Sequence, residues 1–392
     1  MNFALVLAAT LTVQFAINAS RPLASYQAIG LEASIAQLGL IATSFAVVGV
    51  VLAIPVGNAV DRTGSRRFVV GGSMLIAGGC FAHALTDSFV VIVALQLVFG
   101  AGLIFAAVGL QSLVASLGDP DRSEWRFGMF TATVSMGQVL GPLVGGALSE
   151  WSVAAGLAPD GDPYGARAAF AVLAAIVALA SITAFFLPAS APAHLRPQRG
   201  TIKLRGSVGR VMRSPSMLPA MWASMVVLCA IDVLAVYLPA IGIERGWSVG
   251  FVSLLLAVRA GASFAVRLAL QVVVDRYGRR WPLIVMGVLA AGAMAALIAP
   301  LDDVWAVVVM IIAGLCLGLG QPMTMAWVAR AAPPELRGTA LSVRLTANRV
   351  GQMTIPLAIG VAAGVATTSV VFVILAALLL SSSAVVARSN LS

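Results

Sequence analysis

Residues 89–117 read FVVIVALQLVFGAGLIFAAVGLQSLVASL, with no charged side chain among them. A helix rises about 1.5 Å per residue, so about 20 such residues cross a hydrocarbon core of about 30 Å, and this stretch is long enough to do so. The pattern repeats along the chain. Polar punctuation divides the sequence into twelve apolar segments, at about residues 3–20, 34–56, 68–86, 89–117, 127–151, 166–187, 217–240, 248–272, 281–299, 304–329, 339–365 and 369–386. A composition of 60% hydrophobic and 10% charged residues over 392 positions, with a mean hydropathy of +1.01, lies far outside the range of soluble domains. The expectation is an all-α integral membrane protein of twelve transmembrane helices. They fall into two pseudo-symmetric six-helix halves, 1–187 and 217–392, joined by a basic linker at 188–216.

The halves are marked by a repeated charged turn. Between the second and third segments lies GNAVDRTGSRR, residues 57–67. Each of its charges would cost roughly 2.5–3.5 kcal/mol in hydrocarbon even on a lenient scale, so the cluster marks a membrane–water boundary. The same D-R-x-G-x-R core returns between the eighth and ninth segments as QVVVDRYGRR, residues 271–280. One copy per half implies a duplicated chain.

Orientation follows from arginine and lysine. One set of loops carries Arg62, Arg66, Arg67, Arg122, Arg126, the linker cations from Arg196 to Arg213, Arg276, Arg279, Arg280, Arg330 and Arg337. The opposite set has Arg21, Arg167 and Arg245 among a larger number of acids. The positive-inside rule then places both termini and the linker in the cytoplasm, a parity that requires an even number of spans. The first segment opens without a preceding Lys or Arg and further spans follow it, which favours a span over a cleaved leader. The net charge of +9 is spread over loops of one side, so topology explains it and no nucleic-acid partner is expected. Cys80, Cys229 and Cys316 sit inside apolar runs, and His83 and His194 lie far apart. No metal, disulfide or cofactor is expected.

With these residues on the page, the chain resembles the major facilitator superfamily of transporters over essentially its whole length, and in particular its proton-linked exporters. The family's turn, G-x-x-x-D-R-x-G-R-[RK], is matched by Gly57, Asp61, Arg62, Gly64 and Arg66, with Ser65 at a usually basic place. The second copy is matched by Asp275, Arg276, Gly278, Arg279 and Arg280, with Gln271 where a glycine leads. Resemblance implies that these turns latch the two halves on the cytoplasmic side; plain topogenic charge would need neither the Asp nor the glycines. In the fifth segment, Gly137, Gly141, Pro142, Gly145 and Gly146 resemble the g-x-x-x-G-P-x-x-G-G pattern of exporters that exchange substrate for protons. Close helix packing alone would also use that glycine spacing. The fourth segment departs from the family: Gln96 precedes Gly100 where an Arg often stands, so that Arg's proton-linked role is not carried over.

Ionisable groups inside spans are costly and default to functional candidates. The first half offers amides, among them Gln14 and Gln96. The second half has Asp232, Arg259, Arg267, Arg344 and Arg349. Arg259 and Arg349 fall roughly 15–17 Å from their segment ends, near the midplane, while Arg267 and Arg344 lie close enough to one face for either snorkelling or a functional role. Asn348 and Gln352 extend the polar face around Arg349. This positive field points to an anionic or zwitterionic substrate bound by Arg259, Arg349, Asn348, Gln352, Gln96 and Gln14, with Asp232 carrying a coupling proton or serving as counter-ion to Arg259. The reading is a monomeric, non-enzymatic secondary transporter in the cell membrane, surrounded by lipid. It exports a small organic compound by proton-coupled alternating access. The rivals are an importer of the same superfamily and a membrane-embedded enzyme or sensor.

Overall fold

The computed structural model describes residues 2–117, 123–188, 209–214, 216–333, 336–363 and 367–389. Where no water can pair with the backbone, a helix satisfies every peptide group within its own segment, and helices are what the apolar segments form. They are α1 (Asn2–Gly30), α2 (Ile35–Thr63), α3 (Ser65–Leu85), α4 (Phe89–Ser116), α5 (Ser123–Ala154), α6 (Ala166–Phe185), α7 (Met217–Glu244), α8 (Val249–Leu268), α9 (Leu270–Tyr277), α10 (Arg280–Ala296), α11 (Asp303–Ala331), α12 (Arg337–Ala363) and α13 (Thr368–Arg388). Among the described residues, 10 helices are long and apolar enough to cross a membrane. The apolar α10, 17 residues long, and α12, whose apolar run is interrupted by Arg344, Asn348, Arg349 and Gln352, complete the twelve. The eight-residue α9 has no buried residue and is an extra surface helix.

Several expected boundaries move. The first span was expected to stop near residue 20, but α1 continues through Pro22 to Gly30. Arg21 does not end it, because its guanidinium lies 4.4 Å from the centre of the Phe45 ring on α2. The first charged turn contracts to a single residue: α2 runs through Arg62 to Thr63, α3 starts at Ser65, and Gly64 alone turns the chain at φ 92°. Gly57 is therefore helical and supplies no turn. Helical hydrogen bonding continues past the point where the hydrocarbon ends, and a charged sequence does not interrupt it. The second turn differs again, since residues 270–277 form α9 and the turn falls on Gly278 at φ 67°. Arg126, expected in a loop, is helical and 6% exposed, with Nε donating to the Val114 carbonyl at 3.3 Å. The charges Asp119, Asp121 and Arg122, and the linker residues 189–208, lie outside the described residues.

The chain forms two compact units, Met1–Pro197 with Ala235–Ala257, and Gln198–Leu234 with Val258–Ser392; the division passes through α7 and α8. In the first unit α1 lies along α5, α4 along α2 and α3, and α3 along α6. Fully buried Phe99, Phe170, Ile76 and Leu110 fill the space between them. In the second unit α10 packs on α11 and α13. Its core joins Met217, Met221, Trp327, Val328 and Val386.

Candidate functional site

The second unit holds a polar track through an apolar interior, with a glycine beside it. A Cβ on Gly351 of α12 would lie 2.5 Å from Met225 Sδ and 3.3 Å from Cys229 Sγ on α7, so any larger residue would displace the Met225 side chain that packs there. The next residue, Gln352, meets Asp232 on α7. Arg349 Nη1 donates to Gln352 Oε1 at 3.1 Å, and Gln352 Nε2 donates to Asp232 Oδ2. One amide thus links a guanidinium to a carboxylate, both of its ends in use. Asp232 and Gln352 are 7% and 5% exposed, and Arg349 is half-buried. Beside them Asn348 is 2% exposed, and its Oδ1 accepts no hydrogen bond from any described residue. Arg259 on α8 is 8% exposed, its backbone carbonyl pressed against Gly314 of α11.

Snorkelling does not describe the two arginines nearer the face. Arg344 is 4% exposed, and its Nη2 donates to the side-chain oxygen of Gln321 at 2.7 Å and to that residue's carbonyl at 3.2 Å. Gln321 Nε2 in turn donates to the Ser224 carbonyl at 2.8 Å, tying α12 through α11 to α7. Arg267 Nε donates to the Gly318 carbonyl of α11 at 3.1 Å. These groups are held by neutral acceptors inside the bundle, which fixes helix positions, while Arg344 Nε is buried without a partner among the described residues. Gln321 was not anticipated, although an amide in an apolar run was a signal for it.

The first unit's amides divide between two settings. Gln96 is not on a wetted face. It is 1% exposed, with Nε2 3.4 Å from His83 Nε2. On the other side of the ring, His83 Nδ1 lies 2.7 Å from Gln27 Oε1, while Gln27 Nε2 donates to the carbonyls of His83 and Thr86, each at 2.9 Å. Because both carbonyls require a donor, the Gln27 amide has one orientation, its oxygen faces the ring, and the network assigns the imidazole proton to Nδ1. The ring also stacks on Phe170 at 4.3 Å and Phe99 at 5.3 Å. His83 and Gln27 join α1, α3 and α4 near one end of the unit, a role that sequence spacing did not reveal. Gln14 instead lies at the contact of α1 with α5, where Asn18 Nδ2 donates to its carbonyl at 2.7 Å.

That contact is built on the glycine pattern. A Cβ on Gly137 would sit 2.9 Å from Phe15 N, and one on Gly141 would sit 2.7 Å from the Phe15 carbonyl oxygen and 2.8 Å from Ala19 N. Gly145 faces Ala19, and Gly146 faces Ser253 on α8, while Pro142 lies inside α5 without a donor to contribute. Farther along α5, Glu150 Oε1 accepts from the Gly250 backbone N–H at 2.8 Å, which sets a carboxylate on the first turn of α8. Nearby, Arg245 stacks over Trp247 at 5.0 Å, and burial holds its guanidinium below the ordinary arginine value against the opposing pull of Glu244.

The two turns make equivalent internal bonds. Arg66 Nη2, at the start of α3, donates to the carbonyl of Phe185, the last residue of α6. Arg280 Nη2, at the start of α10, donates to the carbonyl of Ala387 near the end of α13. A cation at the carbonyl end of a helix is favourable, and each half closes its last span in this way. Arg62 and Arg276 are exposed. Asp275 Oδ1 accepts from Gln271 Nε2 at 2.8 Å, so the residue replacing the leading glycine is bonded to the motif's own carboxylate. The side chain of Asp61 lies outside the described residues.

Apolar spans, interrupted inside the second unit by a guanidinium–amide–carboxylate track, define a polytopic membrane protein. The chain matches the family model of the Major Facilitator Superfamily over residues 5–269 and 220–389, and it belongs to that family. It is 28% identical over 377 residues to the "Probable nitrate/nitrite transporter NarK2" of Mycobacterium tuberculosis, covering 91% of this chain and 88% of that protein. It is 26% identical over 124 residues to the quinolone resistance protein NorA of Staphylococcus aureus, 32% of this chain and 31% of that one. Among solved structures, the nucleoside transporter NupG superposes with a TM-score of 0.77 at 14% identity, covering 100% of both chains. A D-xylose-proton symporter does so with a TM-score of 0.77 at 15% identity, covering 99% of this chain and 98% of that one.

Proposed function

We propose that this protein is a secondary transporter of a small organic anion or zwitterion, working by alternating access in the cell membrane with protons as the coupling ion and with both termini in the cytoplasm. The observation that carries the proposal is the charge inside the second unit. Arg259 and Arg344 are buried and Arg349 is half-buried, whereas Asp232 is the one carboxylate in a span interior among that unit's described residues. A guanidinium grips a carboxylate through two parallel hydrogen bonds, so Arg259 and Arg349 are the binding groups, with Asn348 supplying an unused acceptor for an ammonium or hydroxyl. Gln14, on α1 of the first unit, is a further candidate binding amide. Asp232 takes the proton. The glycine pattern on α5 supports export, as does the partial likeness to NorA, since drug resistance is an effect that export produces. The charged turns act as the latch between states, and no chemical transformation of the solute is involved.

The track itself favours a second reading, uptake by symport. Asp232 and Arg349 hold opposite ends of the Gln352 amide. A proton on Asp232 removes the charge that strengthens its end of the bond, which loosens Gln352 and leaves Arg349 more available to a solute anion. Proton and anion then bind together instead of in exchange. NarK2, matched over most of the chain, is named for two small oxyanions, which supports the anion class under either direction.

Purified protein in sealed proteoliposomes, challenged with a panel of carboxylates, amino acids and nitrate against lipophilic cations under an imposed pH gradient, tests the class. Movement of anions or zwitterions is expected, and movement of cations alone would overturn it. The sign of the gradient that drives accumulation separates exchange from symport. Asp232→Asn should abolish the response to the gradient while substrate counterflow continues; a variant that still responds removes Asp232 from proton coupling.

A further inference from the structure

A second basic site lies away from the polar track, at the end of the second unit that carries the charged turn. Surface helix α9 meets the ends of α10 and α11 around a cavity of about 150 Å³. Arg279, Arg330 and Gln271 form its polar wall, and Trp327, Met323 and Leu283 its apolar wall. The two guanidiniums repel one another. Among the described residues no carboxylate lines the cavity, and the nearest one along α9, Asp275, is bonded to Gln271. An anion between the arginines removes that repulsion and accepts from both forks.

The surroundings identify what kind of anion. Helix α9 buries none of its residues; it exposes Val272 and Tyr277 and is flanked by exposed Leu268 and Trp281, the apolar and aromatic side chains that sit at the level of lipid headgroups. Arg279 precedes α10 and Arg330 closes α11, so both cations stand at the depth where spans leave the hydrocarbon. A freely dissolved anion has no use for the tryptophan, methionine and leucine wall. A headgroup carrying an acyl chain uses both walls at once.

We propose that this cavity binds the phosphodiester of an anionic phospholipid, Arg279 and Arg330 holding the phosphate, Gln271 donating to its ester or glycerol oxygens, and the apolar wall receiving the start of an acyl chain. The site is independent of the transported solute. Basic clefts between spans hold anionic headgroups by the same combination of charge and depth.

The test uses the full-length purified protein, delipidated in detergent and titrated with phosphatidylglycerol, with phosphatidylcholine or with inorganic phosphate, bound lipid being counted by native mass spectrometry and the shift in melting temperature followed in parallel. Phosphatidylglycerol should be retained and should raise the melting temperature, whereas phosphatidylcholine should do neither. Arg279→Gln with Arg330→Gln should weaken phosphatidylglycerol binding on the order of tenfold or more. Gln271→Glu, at an exposed position, should weaken it as well by replacing the amide with a carboxylate at the rim beside Asp275. Arg67→Gln, which removes an exposed charge elsewhere, should leave it unchanged. Equal retention of both lipids, or an unaltered double variant, overturns the proposal. Displacement of phosphatidylglycerol by inorganic phosphate at matching concentration would mean a free-phosphate site and overturn the lipid assignment.

Discussion

Arg349 shows what a single side chain can decide. Its Nη1 bond to Gln352 is made by one arm of a planar fork, a shape that matches a carboxylate. Lysine keeps the charge but presents a point, not a plane. Arg349→Lys is therefore expected to weaken binding of the solute by about 1–3 kcal/mol, the scale of a hydrogen bond to a charged group, and Arg259→Lys should do the same. Binding calorimetry and thermal melting on the same purified variants provide the check. Lost stability with unchanged affinity would instead make these residues part of a structural ion network. His83 makes the opposite case: its ring is enclosed by Gln27, Gln96, Phe99 and Phe170, and it serves the packing of the first unit. His83→Leu removes the ring's contacts and leaves the Gln27 oxygen and the Gln96 amide buried without their partner, so a loss of about 2–4 kcal/mol is expected by chemical denaturation. A variant as stable as the parent would refute that role.

At the scale of elements, the contact between α1 and α5 leaves no room for a side chain at its glycines. Gly141→Ala would push a methyl against the Phe15 carbonyl and Ala19 nitrogen, backbone atoms that cannot rotate away. The helices must part, at about 1–3 kcal/mol, and the expected result is a lower melting temperature in detergent. Gly57→Ala is the internal control. A Cβ there meets nothing within 4 Å and the position is helical, so stability should hold or rise slightly. Helix α6 depends on a different device. Asp162 accepts from the N–H groups of Ala166 at 2.9 Å and Arg167 at 2.8 Å, filling the orphan donors of its first turn. Asp162→Ala should cost about 0.5–2 kcal/mol, measurable as a shift of the unfolding midpoint.

For the whole molecule, topology is the prediction on which the others stand. Single cysteines at Asp160 and Gln198, in a background without Cys80, Cys229 and Cys316, are expected to react with an impermeant reagent from opposite sides of the membrane, Gln198 from the cytoplasm. Labelling of both from one side contradicts the twelve-span arrangement. The spans and the two turns were legible in the sequence because hydropathy and charge act locally, on runs that fit or do not fit a bilayer. Gln96, His83 and Gln27 were not, because they meet across three helices and Gln27 comes from 56 residues before His83, and Arg126 was mistaken for a loop charge because its burial depends on Val114. The clasps of Arg66 and Arg280 have a consequence for the order of synthesis. Arg66 awaits a carbonyl 119 residues later, and Arg280 one 107 residues later. Each half must therefore hold its early helices in the bilayer with this bond unmade until its last span has emerged from the ribosome. A chain stalled before Phe185 would leave Arg66 to water, its helix not yet fastened to the span that closes the half.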